Sequence, residues 1–335
     1  MNQKTFRNRM SSVKSAFGLM LLLLILPLQI LAAELGEAGK RLAALPGVSD
    51  VETLKSTHFP EKYVFFIKQQ LDGKDASKGS FEQRVVLCHR GFDRPTVLVT
   101  EGYDANYALH EGYIEELSKL FDTNIITVEY RYFDKSKPNP CNWDYLTVEN
   151  SLYDLHHVNN TLHAMYKGKW IATGISKGGQ TTMFYRSYFP DDVDISVPYV
   201  APLNKGVEDG RHEKFLQYQV STKENRLKVL NFQLLLFKRK AALLPMFEKY
   251  CNEKKYVFNA PLPEIFDFSV FEYAFAFWQW GEDINQIPAS DTDDKKVFDY
   301  WINMCEPSYF TNYNATASFD VQAARELGYY GYYTK

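Results

Sequence analysis

Residues 170–190, WIATGISKGGQTTMFYRSYFP, hold a serine with a glycine two positions before it and another two positions after it. A serine hydroxyl is a weak nucleophile at neutral pH. It attacks a carbonyl only when a base takes its proton and donors wait for the oxyanion. The Gly-x-Ser-x-Gly spacing serves the second need and exposes the hydroxyl. In a sharp turn from strand to helix, side chains at Gly174 and Gly178 would collide, and without them Ser176 is pushed into the open. A helix beginning at Lys177 aims its first N–H groups and the positive end of its dipole at the reacting carbonyl, so the Lys177 N–H is one expected oxyanion donor. Gly179 lets that helix lie close against a sheet. With the apolar tetrad WIAT before it and a helix-like tail after it, the pattern reads as a nucleophile elbow.

The second donor in such an arrangement comes from the loop after an earlier strand. That loop is TEGYDANYA, residues 100–108, in which Gly102 turns the chain inward and the Tyr103 N–H is the expected donor. A third segment, VEYRYFDKS, residues 128–136, puts Glu129, Arg131 and Tyr132 at the carboxyl end of a strand, where α/β sites are built. Two readings fit it: an ion pair that orders the loop, or direct contact with substrate.

The elements that must hold these residues follow from periodicity. YVFFI and RVVLC, joined by QQLDGKDASKGSFEQ, predict an antiparallel hairpin at one edge of a sheet. TVLVT (residues 96–100) is a short β-branched run suited to a strand buried on both faces, IITVE (125–129) is another buried strand, WIAT (170–173) is the next strand and SVPYV (196–200) the one after the serine helix. Between them, Tyr113, Ile114, Leu117, Leu120 and Phe121 predict one helical stripe. Val148, Leu152, Leu155, Val158, Leu162 and Met165 predict a second, amphipathic helix. Strands and helices in alternation predict a doubly wound, mostly parallel α/β sheet. After Pro202 the pattern changes to charged and aromatic helical stretches such as RLKVLNFQLLLFKRK and FDFSVFEYAFAFWQW. The expected organisation is therefore an α/β core over residues 34–205 and an inserted helical cap over residues 206–335.

Ahead of the core, residues 1–33 have a basic head, an apolar run and the small pair Ala32 and Ala33, the layout of a cleaved export signal, and no membrane span is expected in the mature protein. A net charge of −3 argues against nucleic acid as a partner. Cys88, Cys141, Cys251 and Cys305 have no C-x-x-C spacing, so no structural metal is expected, and both disulfides within each half and buried thiols are open. Nothing in the sequence calls for a cofactor.

TEGY, VEYRYF with the downstream CNWDYLTVENSLYDLHH, and ATGISKGGQTTMFYRSYFP with YVAPLN together resemble the secreted prolyl tri- and tetrapeptidyl aminopeptidases, serine peptidase family thirty-seven. The resemblance covers residues from about 50 onward and implies an α/β-hydrolase fold with a helical cap, and an exported exopeptidase releasing short N-terminal peptides, often after proline. Ser176 takes the place of the motif's nucleophile. FAFWQWGE, residues 275–282, looks like a cap motif of the family, and its aromatics, Trp278 among them, suit a proline-sized pocket.

An aminopeptidase must also pair the substrate ammonium, for which Glu101, Glu129, Glu272 and Glu282 are the candidates. A hydrolase triad runs Ser, then Asp or Glu, then His along the chain. After Ser176 the chain holds only His212, in a charged stretch that reads as solvated surface. In the family the acid and base lie beyond ELGYYGYYTK, so the expectation is a C-terminally truncated peptidase without the two closing strands. A secreted esterase or lipase, and a catalytically dead peptide-binding remnant, are the alternatives.

Overall fold

The computed structural model describes residues 35–311 and 317–332; the expected export signal, residues 1–33, lies outside them. Seven strands build one sheet: β1 (Val48–Thr53), β2 (Glu61–Gln70), β3 (Ser80–His89), β4 (Thr96–Thr100), β5 (Asn124–Val128), β6 (Trp170–Ile175) and β7 (Ile195–Tyr199). Their order is β1-β2-β3-β5-β4-β6-β7. The four strands β5, β4, β6 and β7 are mutually parallel, while β3 runs against β5 and pairs with β2 as the predicted hairpin. β1 lies outside that hairpin as the true edge. This is the α/β-hydrolase fold, a mixed, mostly parallel sheet with an elbow at the carboxyl end of β6, the strand beside the β7 edge.

Strand alternation divides the interior in two. Val85, Leu87, Leu98, Ile126, Val128, Trp170 and Ala172 face one side, where they meet helix α1 (Glu37–Ala43), Leu152, Leu155 and Val158 of α3 (Val148–Leu162), and Tyr185 of α4 (Lys177–Tyr188). Val86, Cys88, Val97, Val99, Ile125 and Ile171 face the other, under Ala108, Tyr113 and Leu117. Residues i and i+2 of a strand share a face, so each short apolar run feeds two cores at once.

One expectation differs in detail. The stripe from Tyr113 to Phe121 is helical only over α2 (Glu116–Phe121), with Leu120 66 % and Phe121 55 % exposed. Tyr113 stays outside that helix because its hydroxyl is held at 2.9 Å by Thr127 Oγ1. The expected strand after the serine helix, SVPYV, corresponds to β7, which pairs with β6 alone and has Ile195 50 % exposed. Cys88, Cys251 and Cys305 are buried free thiols and Cys141 is an exposed one.

Beyond residue 205 the described chain is helical: α5 (Arg211–Tyr218), α6 (Lys223–Lys238), α7 (Lys240–Glu253), α8 (Leu262–Trp280), α9 (Asp294–Met304) and α10 (Ala317–Gln322). Helices α6 to α9 pack around Phe232, Phe247, Phe266, Tyr273, Phe277 and Trp301, a cluster separate from those of the sheet. Thr222 and Asp293 cap α6 and α9 by accepting from Asn225 N and Lys296 N. Among the described residues no helix is long and apolar enough to cross a membrane.

Candidate active site

Strand β6 ends at Ile175, and Ser176 then adopts φ 56°, ψ −120°, before α4 begins at Lys177. A non-glycine residue at positive φ is strained. Tyr132 (φ 71°), Asp134 (φ 31°) and Val200 (φ 41°) share this condition in the loops that follow β5 and β7. The strain at Ser176 is held by close backbone contacts. A Cβ on Gly174 would come within 2.4 Å of the Gly178 backbone, one on Gly178 within 2.7 Å of Thr100 O, and one on Gly179 within 2.5 Å of Tyr199 O. Ser176 N donates to Tyr199 O at 3.0 Å, tying the elbow to β7. The hydroxyl of Thr100 adds a buried clasp on the other side, 3.0 Å from Gly178 O and 2.7 Å from Thr182 Oγ1. Ser176 itself is exposed.

The loop after β4 lies against this turn: a Cβ on Gly102 would sit 2.6 Å from Lys177 Cβ and 3.0 Å from Gly178 N. Tyr103 follows directly, and its carbonyl accepts from Tyr130 N at 3.0 Å. Lys177 opens α4, so its N–H is among the first-turn donors that lack an intrahelical acceptor. The two expected oxyanion donors thus belong to adjoining segments. The Lys177 side chain, for which no role is expected from sequence, is buried and donates to Gly102 O at 2.7 Å.

The four candidate glutamates differ sharply. Glu129 is fully buried and pairs with Arg84 through one oxygen, which also accepts from Ala105 N at 3.2 Å. The other oxygen accepts from Lys135 N (3.1 Å), Ser136 N (3.0 Å) and Ser136 Oγ (2.7 Å). No lone pair of Glu129 remains for a further partner. Glu101, half-buried beside the Gly102 turn, takes a hydrogen bond from the Tyr107 hydroxyl, and burial raises its pKa to about 7. Glu272, on α8, accepts from Tyr330 OH (3.0 Å) and Tyr332 OH (2.7 Å), and burial raises it likewise to about 7. Glu282 lies past the end of α8 and is exposed. Arg131 is bound bidentately to Asp154 at 2.7 Å and 2.7 Å and also donates to three backbone carbonyls. The Tyr132 hydroxyl donates to Asn142 O.

Glu272 is linked to the elbow by residues that the sequence reading passed over. Tyr103 packs on Phe319 (5.7 Å between centroids), Phe319 on Tyr329 (5.0 Å), Tyr329 on Tyr330 (4.1 Å) and Tyr330 on Phe275 (4.1 Å). The segment that carries these rings is fixed by Ser318 Oγ donating to Tyr132 O (2.8 Å) and Gln322 Nε2 donating to Tyr130 OH (2.9 Å). Its aromatic spacing carries no period that would have revealed this docking. Trp278, with Tyr218, Arg226, Leu230, Phe271 and Phe275, lines a groove of about 900 Å³.

None of the seven histidines is hydrogen-bonded to Ser176 among the described residues. His156 Nδ1 lies 2.8 Å from Asp192 and His157 Nδ1 2.9 Å from Gln69, both on helix α3. His89 meets Tyr166. His212, expected as solvated surface, is half-buried: Nδ1 lies 2.9 Å from Asp209 O and the ring packs edge-on against Tyr330. No His, Cys, Asp or Glu cluster among the described residues is arranged to hold a metal.

Residues 34–330 match the family described as PS-10 peptidase S37. A prolyl tri/tetrapeptidyl aminopeptidase of Streptomyces mobaraensis is 30 % identical over 265 residues, 78 % of this chain and 54 % of that enzyme. The chain thus spans about half the length of that relative. Among solved structures, dipeptidyl peptidase 4 of Porphyromonas gingivalis superposes with a TM-score of 0.34 at 10 % identity, over 48 % of this chain and 28 % of that one. Lipase A of Candida antarctica does so with a TM-score of 0.32 at 9 % identity, over 54 % and 47 %. With an elbow serine built as the motif requires and a family match over nearly all of the described residues, the chain belongs to the peptidase S37 family.

Proposed function

We propose that this chain supplies the nucleophile, the oxyanion donors and the ammonium site of an exported serine exopeptidase that releases short peptides from free N-termini. The observation that carries this reading is the backbone of Ser176: a non-glycine residue held at φ 56° on an exposed turn between a buried strand and a helix N-terminus. Such strain persists where the surrounding structure over-determines it, and it serves to present a hydroxyl. Ser176 attacks the scissile carbonyl, and the N–H groups of Tyr103 and Lys177 stabilise the oxyanion. The helical region, residues 206–332, acts as a cap over the strand ends, with Trp278 and its neighbours forming an apolar wall for a proline-containing peptide.

Glu101 and Glu272 are the better supported acceptors for the substrate ammonium. Glu101 accepts from the Tyr107 hydroxyl and Glu272 from those of Tyr330 and Tyr332, which leaves acceptor capacity on each, whereas Glu129 is saturated and Glu282 is solvated. Release of tri- or tetrapeptides after proline follows the name of the Streptomyces relative. Export follows from residues 1–33, read as a removable signal.

The test has two parts. A fluorophosphonate probe applied to the full-length protein should modify Ser176, and Ser176→Ala should abolish the modification; a protein that neither reacts nor hydrolyses an aryl ester sinks the serine-hydrolase reading. Free and N-acetylated Xaa-Xaa-Pro peptides are then compared. Equal cleavage of the two would leave an esterase or endopeptidase as the better description.

A further inference from the structure

Lys177 follows the elbow serine directly, and its side chain is only 2 % exposed. Its amine stands 3.4 Å from the centre of the Tyr130 ring, with Phe133 and Tyr103 at 5.5 and 5.6 Å, and donates to Gly102 O at 2.7 Å. Burying a lysine opposes folding, and a methionine would fill the same volume without that cost. The amine therefore needs a reason to be where it is.

We propose that Lys177 is a positioning residue: by holding the Gly102 carbonyl it turns the Tyr103 N–H toward Ser176, so that one side chain couples the two oxyanion donors. This rests on the reading of Ser176 as nucleophile. The Gly102–Tyr103 peptide is planar and trans, so its carbonyl and its N–H point in opposite directions, and fixing one fixes the other. Tyr130 N holds the next carbonyl, that of Tyr103, at 3.0 Å, so both peptides flanking Tyr103 are pinned. Gly102 gives the loop room to lie on the first turn of α4, and the same lack of a Cβ makes this peptide the easiest in the loop to rotate. Without the lysine amine, rotation would present a carbonyl dipole to the place where negative charge develops, reversing its effect on the reaction. Burial pushes the Lys177 amine well below the ordinary lysine value, yet a neutral amine still carries N–H groups, so the contact with Gly102 O survives in either form.

The experiment compares crystal structures of the full-length protein and of Lys177→Met, together with kcat and KM for an aryl ester. Methionine keeps the stem and most of the volume and cannot donate. The expected result is a rotated Gly102–Tyr103 peptide with Ser176 and α4 in place, and a kcat lower by on the order of a hundredfold at a KM within about twofold. A purely structural role would lower stability and leave that split unmoved. If the peptide keeps its orientation in Lys177→Met, the proposal is overturned, whatever the protein hydrolyses. A parental protein that is inert toward probe and ester would instead defeat the serine-hydrolase reading, while the geometry of the variant still decides the role of the lysine. Lys177→Gln, which returns an N–H donor on a shorter stem, is the second variant should Lys177→Met not fold. It should keep the peptide orientation of the parent, and a rotated peptide there, despite a donor at Gly102 O, counts against the idea.

Discussion

Two carboxylates illustrate how differently the sheet and the helical region use a buried charge. Glu129, at the carboxyl end of β5, is ringed by Arg84, three backbone N–H groups and the Ser136 hydroxyl. Glu272, on α8, has the phenols of Tyr330 and Tyr332. Each is largely removed from water, but only the first has enough donors to replace its hydration. A saturated carboxylate is part of the scaffold, here fixing the loop that contains Tyr130 and Tyr132. Burial raises the pKa of both, that of the undersupplied Glu272 to about 7, and the undersupplied one keeps acceptor capacity for a cation. Burial therefore does not distinguish a saturated acid from one with acceptors to spare; the count of donors does.

The sharpest way to break this comparison is to neutralise each acid in turn. Glu129→Gln leaves the buried Arg84 with Asp134 as its remaining charge partner and sets an amide NH2 among the donors that ring this position, and should cost about 3 kcal/mol in a urea titration. Glu272→Gln should leave stability at neutral pH unchanged or raised. If the two substitutions cost the same, donor count is not what separates the two sites. Function should reverse the order. Where Glu272 binds the substrate ammonium, Glu272→Gln should lower kcat/KM for a free-amine peptide by about 2 to 5 kcal/mol and leave an aryl ester almost untouched. Equal losses on peptide and ester would assign Glu272 to general packing.

A smaller effect is expected at the elbow. Ser176→Gly relieves the positive-φ strain and should be more stable than Ser176→Ala by about 1 to 3 kcal/mol, since alanine keeps a Cβ. Equal stabilities of the two in thermal unfolding would mean that the turn stores no strain.

The pH dependence has a sign that follows from the raised carboxyls. The pKa values of Glu101 and Glu272 are about 7 in the folded chain against an ordinary value near 4.5, so the fold favours their neutral forms. Their contribution to stability is full below about 4.5 and is lost as pH rises through about 7. Melting temperature should therefore gain from these two groups on going from pH 8 to pH 5, and Glu272→Gln should flatten that slope. An unchanged slope in this variant would show that Glu272 is already ionised well below pH 7.

Much of the site could be read from the sequence because it depends on local chemistry. Gly174 is needed by a contact with Gly178 within one turn, although Gly178 and Gly179 answer to Thr100 O and Tyr199 O of the neighbouring strands, and the strands on either side are short apolar runs whose facing follows from alternation. The stripe from Tyr113 to Phe121 misled because helical periodicity says nothing of a tyrosine hydroxyl that finds Thr127 across the sheet. A leucine on that stripe should be nearly silent: Leu120, 66 % exposed, should change stability by under about 0.5 kcal/mol when replaced by alanine, the smallest effect expected here.

What the sequence determined by itself was the elbow, the order of strands and helices, and the change in character after Pro202, since each follows from spacing and side-chain type over a few residues. Tertiary structure alone decided which glutamate is saturated, that Lys177 reaches Gly102, and that Phe319, Tyr329 and Tyr330 join Tyr103 to Phe275. Those outcomes depend on desolvation and on donors brought from segments as far apart as Tyr103 and Phe319. No local pattern encodes them, because the energy of a buried polar group is set by whatever the fold packs around it.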